Sequence, residues 1–336
     1  MIVELMGKKW DNVSILEQAR EFQRSRILLS AVELEIFPIL APGALSVEEV
    51  AGKIGADVRG TGILLDALTA LELLEKKDGR YILPLELVPF LSDESVETSV
   101  LPMLRHWGNL WLTWSNLTEV VRSGYSEAVF PDGKGKEVRQ KAFIEAMHVT
   151  GLINAKAIVS RVDLKETRKL LDIGGGSGVY TIAFLIENPD LSAFLFDLPP
   201  VLEITRNFIS RESLLDRVEL VPGNFQVDEL PGGCDTAWLS AIIHQNSLSE
   251  NMKLFSKIHT ALLPGGRLII RDHIMEPDRI TPRDGAIFAI NMLVGTKEGS
   301  TYTFDEIRGL LEKTGFSKIR LERGKGKMDD LIICEK

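Results

Sequence analysis

The sequence predicts an α/β protein, with a doubly wound, mostly parallel sheet that ends in an antiparallel C-terminal hairpin and is preceded by a mainly helical domain. Three observations predict it. From Lys165 onward, apolar strand-like runs alternate with helical periodicity, the pattern of βα units that build a parallel sheet. Within that region Lys169–Thr181, KLLDIGGGSGVYT, is an apolar run that ends at an acid and breaks into glycines, the form of a strand turning tightly into a helix. The N-terminal part reads helix, helix, hairpin instead. On this reading the 336 residues divide into a helical domain over 1–95, a helical connection over 96–162 and a cofactor-binding domain over 163–336.

Taken in order, residues 12–40 place Ile15, Ala19, Phe22, Ile27, Leu28, Ala31, Val32 and Leu34 at helical spacing, and Pro38 and Pro42-Gly43 end the run. Ser46-Val-Glu-Glu49 has the form of a capping box opening a helix to about Ile54. A second helix is expected from Asp57 to about Lys76, and Lys77-Asp78-Gly79-Arg80 reads as a hairpin turn into Tyr81–Leu83. This is the outline of a winged helix. Its second helix would have to enter the major groove of DNA, yet after Arg59 its charged positions through Glu75 are Asp66, Glu72 and Glu75. A dimer interface is the better use of such a module.

Residues 93–100 read as a surface connection and 125–136 as a loop. Helical stretches are expected over 100–122, with Trp107, Trp111 and Trp114 on one face as packing residues or a pocket wall, and over 137–162. Strands follow at 168–173, 192–197, 217–221, 235–240 and 267–272 with helices between them. The tail reads as helix 304–314 and two strands around 318–321 and 331–334.

Bulk properties narrow the function classes. A net charge of −9, from 48 acidic and 39 basic side chains, gives no electrostatic footprint for nucleic acid or an anionic membrane. A small-molecule partner is the better reading. Cys234 and Cys334 sit in apolar strand-like runs without metal-ligand spacing, so they read as reduced core thiols and no metal site is expected. With no stretch of signal-peptide character at the start and no uninterrupted apolar run of membrane length, the chain reads as cytoplasmic.

The glycine turn points to a nucleotide-like cofactor, because glycines allow positive φ and let a ligand lie against the main chain. A P-loop would close with Gly-Lys-Ser/Thr, and this turn closes with Gly178-Val179-Tyr180. A dinucleotide fingerprint would need glycine or alanine where Val179 stands. The remaining form is Asp-x-Gly-x-Gly-x-Gly, met in Asp172, Gly174, Gly176 and Gly178, as found in S-adenosylmethionine-dependent methyltransferases. Asp197, with Leu198 beside it, ends the second strand, where a carboxylate takes the hydroxyls of an adenosine ribose. Asn224 and Phe225 end the third, an amide for the adenine edge and an aromatic for its face.

The fourth strand runs into Ala241-Ile-Ile-His244-Gln245-Asn246. A histidine just beyond a strand's carboxyl end, beside the crevice, is placed to act as a general base, and a phenol with pKa near ~10 needs one at neutral pH. Asp272, ending the fifth strand, is placed either to orient that imidazole as a triad carboxylate does or to stand as a strand-end acid. Met103, Trp107, Phe143, Met147, His148, Phe288, Asn291 and Met292, mostly apolar, are candidates for an acceptor pocket or for plain core packing.

Together with Phe22–Phe37, Phe196-Asp-Leu-Pro199 and Leu263-Pro-Gly-Gly-Arg-Leu268, these motifs make nearly the whole chain resemble the small-molecule O-methyltransferases of the plant caffeate and bacterial polyketide type. The resemblance implies a class I methyltransferase domain, a winged-helix dimerisation domain, a homodimer and S-adenosylmethionine as cofactor. It further implies cofactor contacts at Gly174, Gly176, Asp197, Asn224, Phe225 and Ser240, and the base at His244. Many relatives have His-Asp-Trp where this chain has His244-Gln245-Asn246 and an acid where Asn224 stands, and the plant enzymes keep a second acid beside the base where Thr301 stands. Oxygen and carbon acceptors both stay open on this reading, and an NAD-dependent oxidoreductase or a winged-helix regulator is disfavoured by Val179 and by the acidic helix.

Overall fold

The structure, a computed structural model, describes residues 10–94, 98–124, 135–326 and 328–336. Residues 1–9, part of the connection expected over 93–100 and most of the loop expected over 125–136 lie outside them. The chain forms two compact units, Met1–Gly108 and Asn109–Lys336.

In the N-terminal unit the first helix, Asn12–Glu33, stops earlier than its periodicity suggested, because Glu35 takes a left-handed φ of 56° before a short helix, Ile36–Leu40. That break turns Ile36, Phe37 and Leu40 into the core. Val13, Ile15, Leu16 and Phe22 remain exposed along the first helix. The capping box forms as expected. The Ser46 hydroxyl accepts the Glu49 N–H at 3.3 Å, the Glu49 carboxylate accepts the Ser46 N–H at 2.7 Å, and Gly55 closes helix Val47–Ile54 in the left-handed region. The next helix, Val58–Ala70, ends six residues before the expected Lys76. Glu72 turns left-handed after it, so that Leu74 can be buried before the hairpin strands Glu75–Lys77 and Arg80–Ile82. These pair with Leu45–Ser46 in a three-stranded antiparallel sheet.

Asn116 alone separates helix Leu101–Ser115 from helix Leu117–Ser123, splitting the single stretch expected. Trp107 and Trp114 are exposed on it rather than packed in the core.

The C-terminal unit holds a seven-stranded sheet of β1 (Lys169–Ile173), β2 (Ser192–Asp197), β3 (Val218–Pro222), β4 (Cys234–Ser240), β5 (Leu262–Asp272), β6 (Ser317–Glu322) and β7 (Asp330–Glu335). Their order is β6-β7-β5-β4-β1-β2-β3, with β7 antiparallel to both neighbours and the other pairs parallel. The chain winds outward from β1 to β3 and then returns to the other side of β1, so the strand order reverses between β1 and β4. Ligands of open α/β sheets lie in the crevice at such a reversal.

The alternation of each strand sends its side chains to two cores. Leu171, Leu239 and Ile270 pack with Phe255 and Ile258 of helix Leu248–Ala261, and Leu170, Trp238 and Ile269 pack with Tyr180 and Phe184 of helix Val179–Glu187. The long helix Gly135–Val159 is apolar and long enough to cross a membrane over Arg139–Val159, yet its Ala155, Ile158 and Val159 belong to this second core. The two cysteines are buried and unpaired, and burial pushes Cys234 up to about 11 and Cys334 up to about 12.

Candidate active site

Three strand ends converge on the glycine turn. Gly174, Gly176 and Gly178 all have positive φ, at 67°, 56° and 80°, which the turn from β1 into helix Val179–Glu187 requires. Space separates their roles. A Cβ at Gly174 would stand 2.5 Å from Ile242 Cδ1 and one at Gly175 2.6 Å from Leu195 Cγ, whereas at Gly176 the nearest atom is Ile144 Cδ1 at 4.0 Å. The outer face of the turn is therefore open at Gly176, where a ligand can approach the backbone.

Asp197 reaches across this turn. Its carboxylate accepts the N–H of Gly176 at 2.8 Å and of Leu198 at 2.7 Å, and burial raises its pKa against those two hydrogen bonds. At the end of β3 the Asn224 side-chain oxygen accepts the Gln226 N–H at 2.9 Å, and the Phe225 ring edge comes within 3.7 Å of the position a Cβ on Gly174 would take. Ser240, ending β4, accepts a 3.0 Å hydrogen bond from the buried Arg271.

Asp172 lies beneath the turn rather than on its open face. It is buried and accepts the Thr181 hydroxyl at 2.5 Å. Burial pushes its carboxyl up to about 7, with Thr181 opposing and Asp197 adding to the rise. A carboxyl raised in the folded state keeps a proton that the unfolded chain has already lost, so stability falls as pH climbs through the window from the ordinary value to about 7. Wild type is expected to lose more melting temperature than Asp172→Asn between about pH 5 and pH 8, because the amide keeps the Thr181 hydrogen bond without titrating. Parallel melting profiles for the two proteins would remove this assignment.

After Ser240 the chain turns on Ala241, held left-handed at φ 58° with its N–H donated to Arg271 O at 2.8 Å. A non-glycine residue in this region stores about 1–3 kcal/mol, and such strain gathers where a side chain must be aimed. Here the turn Ile243–Gln245 presents His244. Its Nδ1 lies 2.9 and 3.0 Å from the two oxygens of Asp272, with the side chains 12 % and 0 % exposed. An ionised carboxylate only accepts, so Nδ1 donates and Nε2 carries the free lone pair. Burial alone would raise Asp272, but attraction to His244, its hydrogen bond and the N–H of His273 at 2.8 Å hold it below the usual carboxylate range.

The Phe288 ring meets the His244 imidazole edge-on at 4.8 Å. His273 also touches Phe288, at 5.1 Å, because β5 ends at Asp272 and strand alternation stops there.

Of the other expected pocket residues, Asn291 accepts the Trp114 indole N–H at 3.0 Å, and both Asn291 and Met292 lie with Phe288 on helix Arg283–Gly295. Phe143, Met147 and His148 share helix Gly135–Val159. His148 turns to the glycine turn, with Nδ1 2.9 Å from the Ser177 hydroxyl and its ring stacked on Phe208 at 3.9 Å. Burial, with Arg211 nearby, lowers its pKa to about 4, so it is neutral. Met103 and Trp107 belong to the N-terminal unit.

Two supports of the site were not legible beforehand. A Cβ on Gly299 would stand 2.5 Å from the His244 carbonyl oxygen, which accepts the Ser300 N–H at 2.9 Å. Asn246, Asn251 and Tyr302 hydrogen-bond beneath the histidine turn. Gly299 offered only the signal of an unassigned glycine, and Tyr302 lies 56 residues from Asn246. Among the described residues no cluster of His, Cys, Asp and Glu could hold a metal ion.

Comparison with known proteins places this geometry. Residues 16–83 match the O-methyltransferase dimerisation domain and residues 114–317 the O-methyltransferase domain. The 3-hydroxy-5-methyl-1-naphthoate 3-O-methyltransferase of Streptomyces sahachiroi is 32 % identical over 308 residues, covering 89 % of this chain and 88 % of its own. Human N-acetylserotonin methyltransferase in complex with S-adenosylmethionine superposes with a TM-score of 0.83 at 26 % identity, covering 98 % and 99 % of the two chains. PigF with S-adenosylhomocysteine gives 0.89 at 25 % identity, covering 97 % and 100 %. A family domain spanning more than half the chain, on a sheet whose strand order reverses beside a glycine turn, shows that this protein belongs to the S-adenosylmethionine-dependent O-methyltransferase family and is a methyltransferase.

Proposed function

We propose that the enzyme methylates a hydroxyl of a small aromatic or polyketide-like molecule, as a cytoplasmic homodimer, with His244 as general base. The observation that carries this reading is the His244–Asp272 pair at the crevice: Nδ1 is committed to the buried carboxylate, and Nε2 is left to take a proton. S-adenosylmethionine supplies an electrophilic methyl group on a sulfonium.

The residues present suit that cofactor. Asp197 is the group for its ribose hydroxyls and Asn224 and Phe225 for its adenine, Gly174 and Gly176 let it lie on the backbone, and Leu198 and Ser240 complete the wall. Asp172 acts from below through Thr181. On the acceptor side, Phe288, Asn291 and Met292 with Phe143 and Met147 give an apolar surface for an aromatic ring.

His244 withdraws the hydroxyl proton at Nε2 as the oxygen becomes nucleophilic, and Asp272 keeps the imidazole in the tautomer that can do so. Thr301 carries no charge, so Asp272 is the one carboxylate bonded to the base among the described residues. Alignment of the reactants, worth ~7–11 kcal/mol, outranks the base, worth ~10²–10⁴-fold. The hydroxynaphthoate acceptor of the Streptomyces relative supports an aromatic hydroxyl. The exposed apolar side chains of helix Asn12–Glu33 and the dimerisation domain support the homodimer, and two buried unpaired thiols accord with a reducing compartment.

His244→Ala tests the assignment. With labelled S-adenosylmethionine and a panel of hydroxynaphthoates, turnover is expected to fall ~10²–10⁴-fold while cofactor affinity by calorimetry stays within about twofold. Unchanged turnover at saturating acceptor would remove His244 from the mechanism.

A further inference from the structure

The turn that presents His244 is weakly made by its own backbone. Its hydrogen bonds, Gln245 N–H to Ile242 O and Asn246 N–H to Ile243 O, are long at 3.2 and 3.4 Å. Three residues with such bonds do not define one geometry. Side-chain amides supply what the backbone lacks.

Asn246 is 2 % exposed, and its polar atoms are paired. Its Oδ1 accepts Gln226 Nε2 at 2.7 Å, its Nδ2 donates to Asn251 Oδ1 at 3.1 Å, and its carbonyl accepts the Tyr302 hydroxyl. Asn251 Nδ2 in turn donates to Ile243 O at 2.8 Å. The turn is thus pinned one residue before His244 and two residues after it. Gln226 extends the chain to the end of β3, since its own N–H donates to Asn224 Oδ1 at 2.9 Å. A buried amide network specifies a single arrangement only when every member is satisfied, and a missing donor leaves a buried acceptor unpaired.

We propose that Gln226 and Asn246 are positioning residues for His244, joining the strand end at Asn224 to the turn that presents the imidazole. The proposal rests on the reading of His244 as the base. Gln226 is the link to test, because it is exposed and its replacement leaves the core intact. Gln226→Glu keeps the size but sets an acceptor against Asn246 Oδ1, whereas Gln226→Lys restores a donor.

The readout is the His244 Nδ1–H, held on Asp272, followed by NMR in protein labelled with ¹⁵N-histidine and assigned by its disappearance in His244→Gln. In Gln226→Glu its exchange with solvent is expected to quicken roughly tenfold, with the other histidine signals unmoved and S-adenosylmethionine affinity within about twofold. Gln226→Lys is expected to restore protection. Exchange unchanged in Gln226→Glu, or quickened equally at every histidine, overturns the proposal. Because no methyl transfer is measured, the outcome is independent of whether His244→Ala abolishes activity.

Discussion

Replacing Asp272 by asparagine is expected to lower turnover by about 10³–10⁴-fold while S-adenosylmethionine affinity stays within about twofold. The reason lies in the hydrogen bonds around this buried group. Asp272 Oδ1 accepts the His273 N–H at 2.8 Å, so the amide of the variant must place its oxygen there and its NH2 where Oδ2 stood, 3.0 Å from His244 Nδ1. That NH2 and the Nδ1–H would stand donor against donor, which favours the tautomer in which Nδ1 accepts, even with the amide oxygen 2.9 Å from the same nitrogen. The proton then moves to Nε2, the atom proposed to take one from the acceptor. The cofactor contacts proposed at the ends of β1, β2 and β3 are untouched, so the loss is expected to fall on the chemical step. Steady-state kinetics beside calorimetry separates the two, and ¹⁵N shifts of the imidazole report the tautomer. Turnover within tenfold of wild type would show that Asp272 does not set the tautomer used.

Gly174→Ala is expected to damage stability and catalysis together. At φ 67° an L side chain costs roughly 1–2 kcal/mol. Its Cβ would also stand 2.5 Å from Ile242 Cδ1 and 3.7 Å from Phe225. Such overpacking adds about 1–3 kcal/mol, giving a total of roughly 2–5 kcal/mol. For a unit of this size that corresponds to a fall of about 5–15 °C in Tm. Ile242 lies two residues before His244, so its displacement is expected to reach the turn that presents His244 as well.

Gly176→Ala provides the contrast. Its φ of 56° carries a similar strain, but the space around it is open, so Tm is expected to fall less while the new methyl occupies the face offered to the cofactor. Thermal melts and S-adenosylmethionine titrations of both variants check this division. Equal losses in Tm would show that Ile242 yields without cost.

Much of this was legible from local pattern. Strands β1 to β4 lie within about one residue of the runs read from periodicity, since alternation and apolar runs are local consequences of burial. The exceptions have physical causes. β5 begins at Leu262, well before the expected 267, and takes in Leu263-Pro-Gly-Gly266. In the sheet a register shift against β4 between Cys234 and Thr236 accommodates it, and a Cβ at Gly266 would stand 3.0 Å from the Asp235 carbonyl. The helix expected to run to Lys76 ends at Ala70, because burying Leu74 outweighs helical propensity in that turn.

What the sequence by itself determined was the succession of strands along the chain and the placing of Asp197, Asn224, His244 and Asp272 at their carboxyl ends, for these follow from periodicity over a few residues. Only the tertiary structure decided that Asp272 meets Nδ1, that His148 turns to Ser177, and that Asn246, Tyr302 and Gly299 hold the histidine turn. Those contacts join residues 28 to 56 positions apart, and they depend on strand register and on how the crossovers return, which no local pattern encodes.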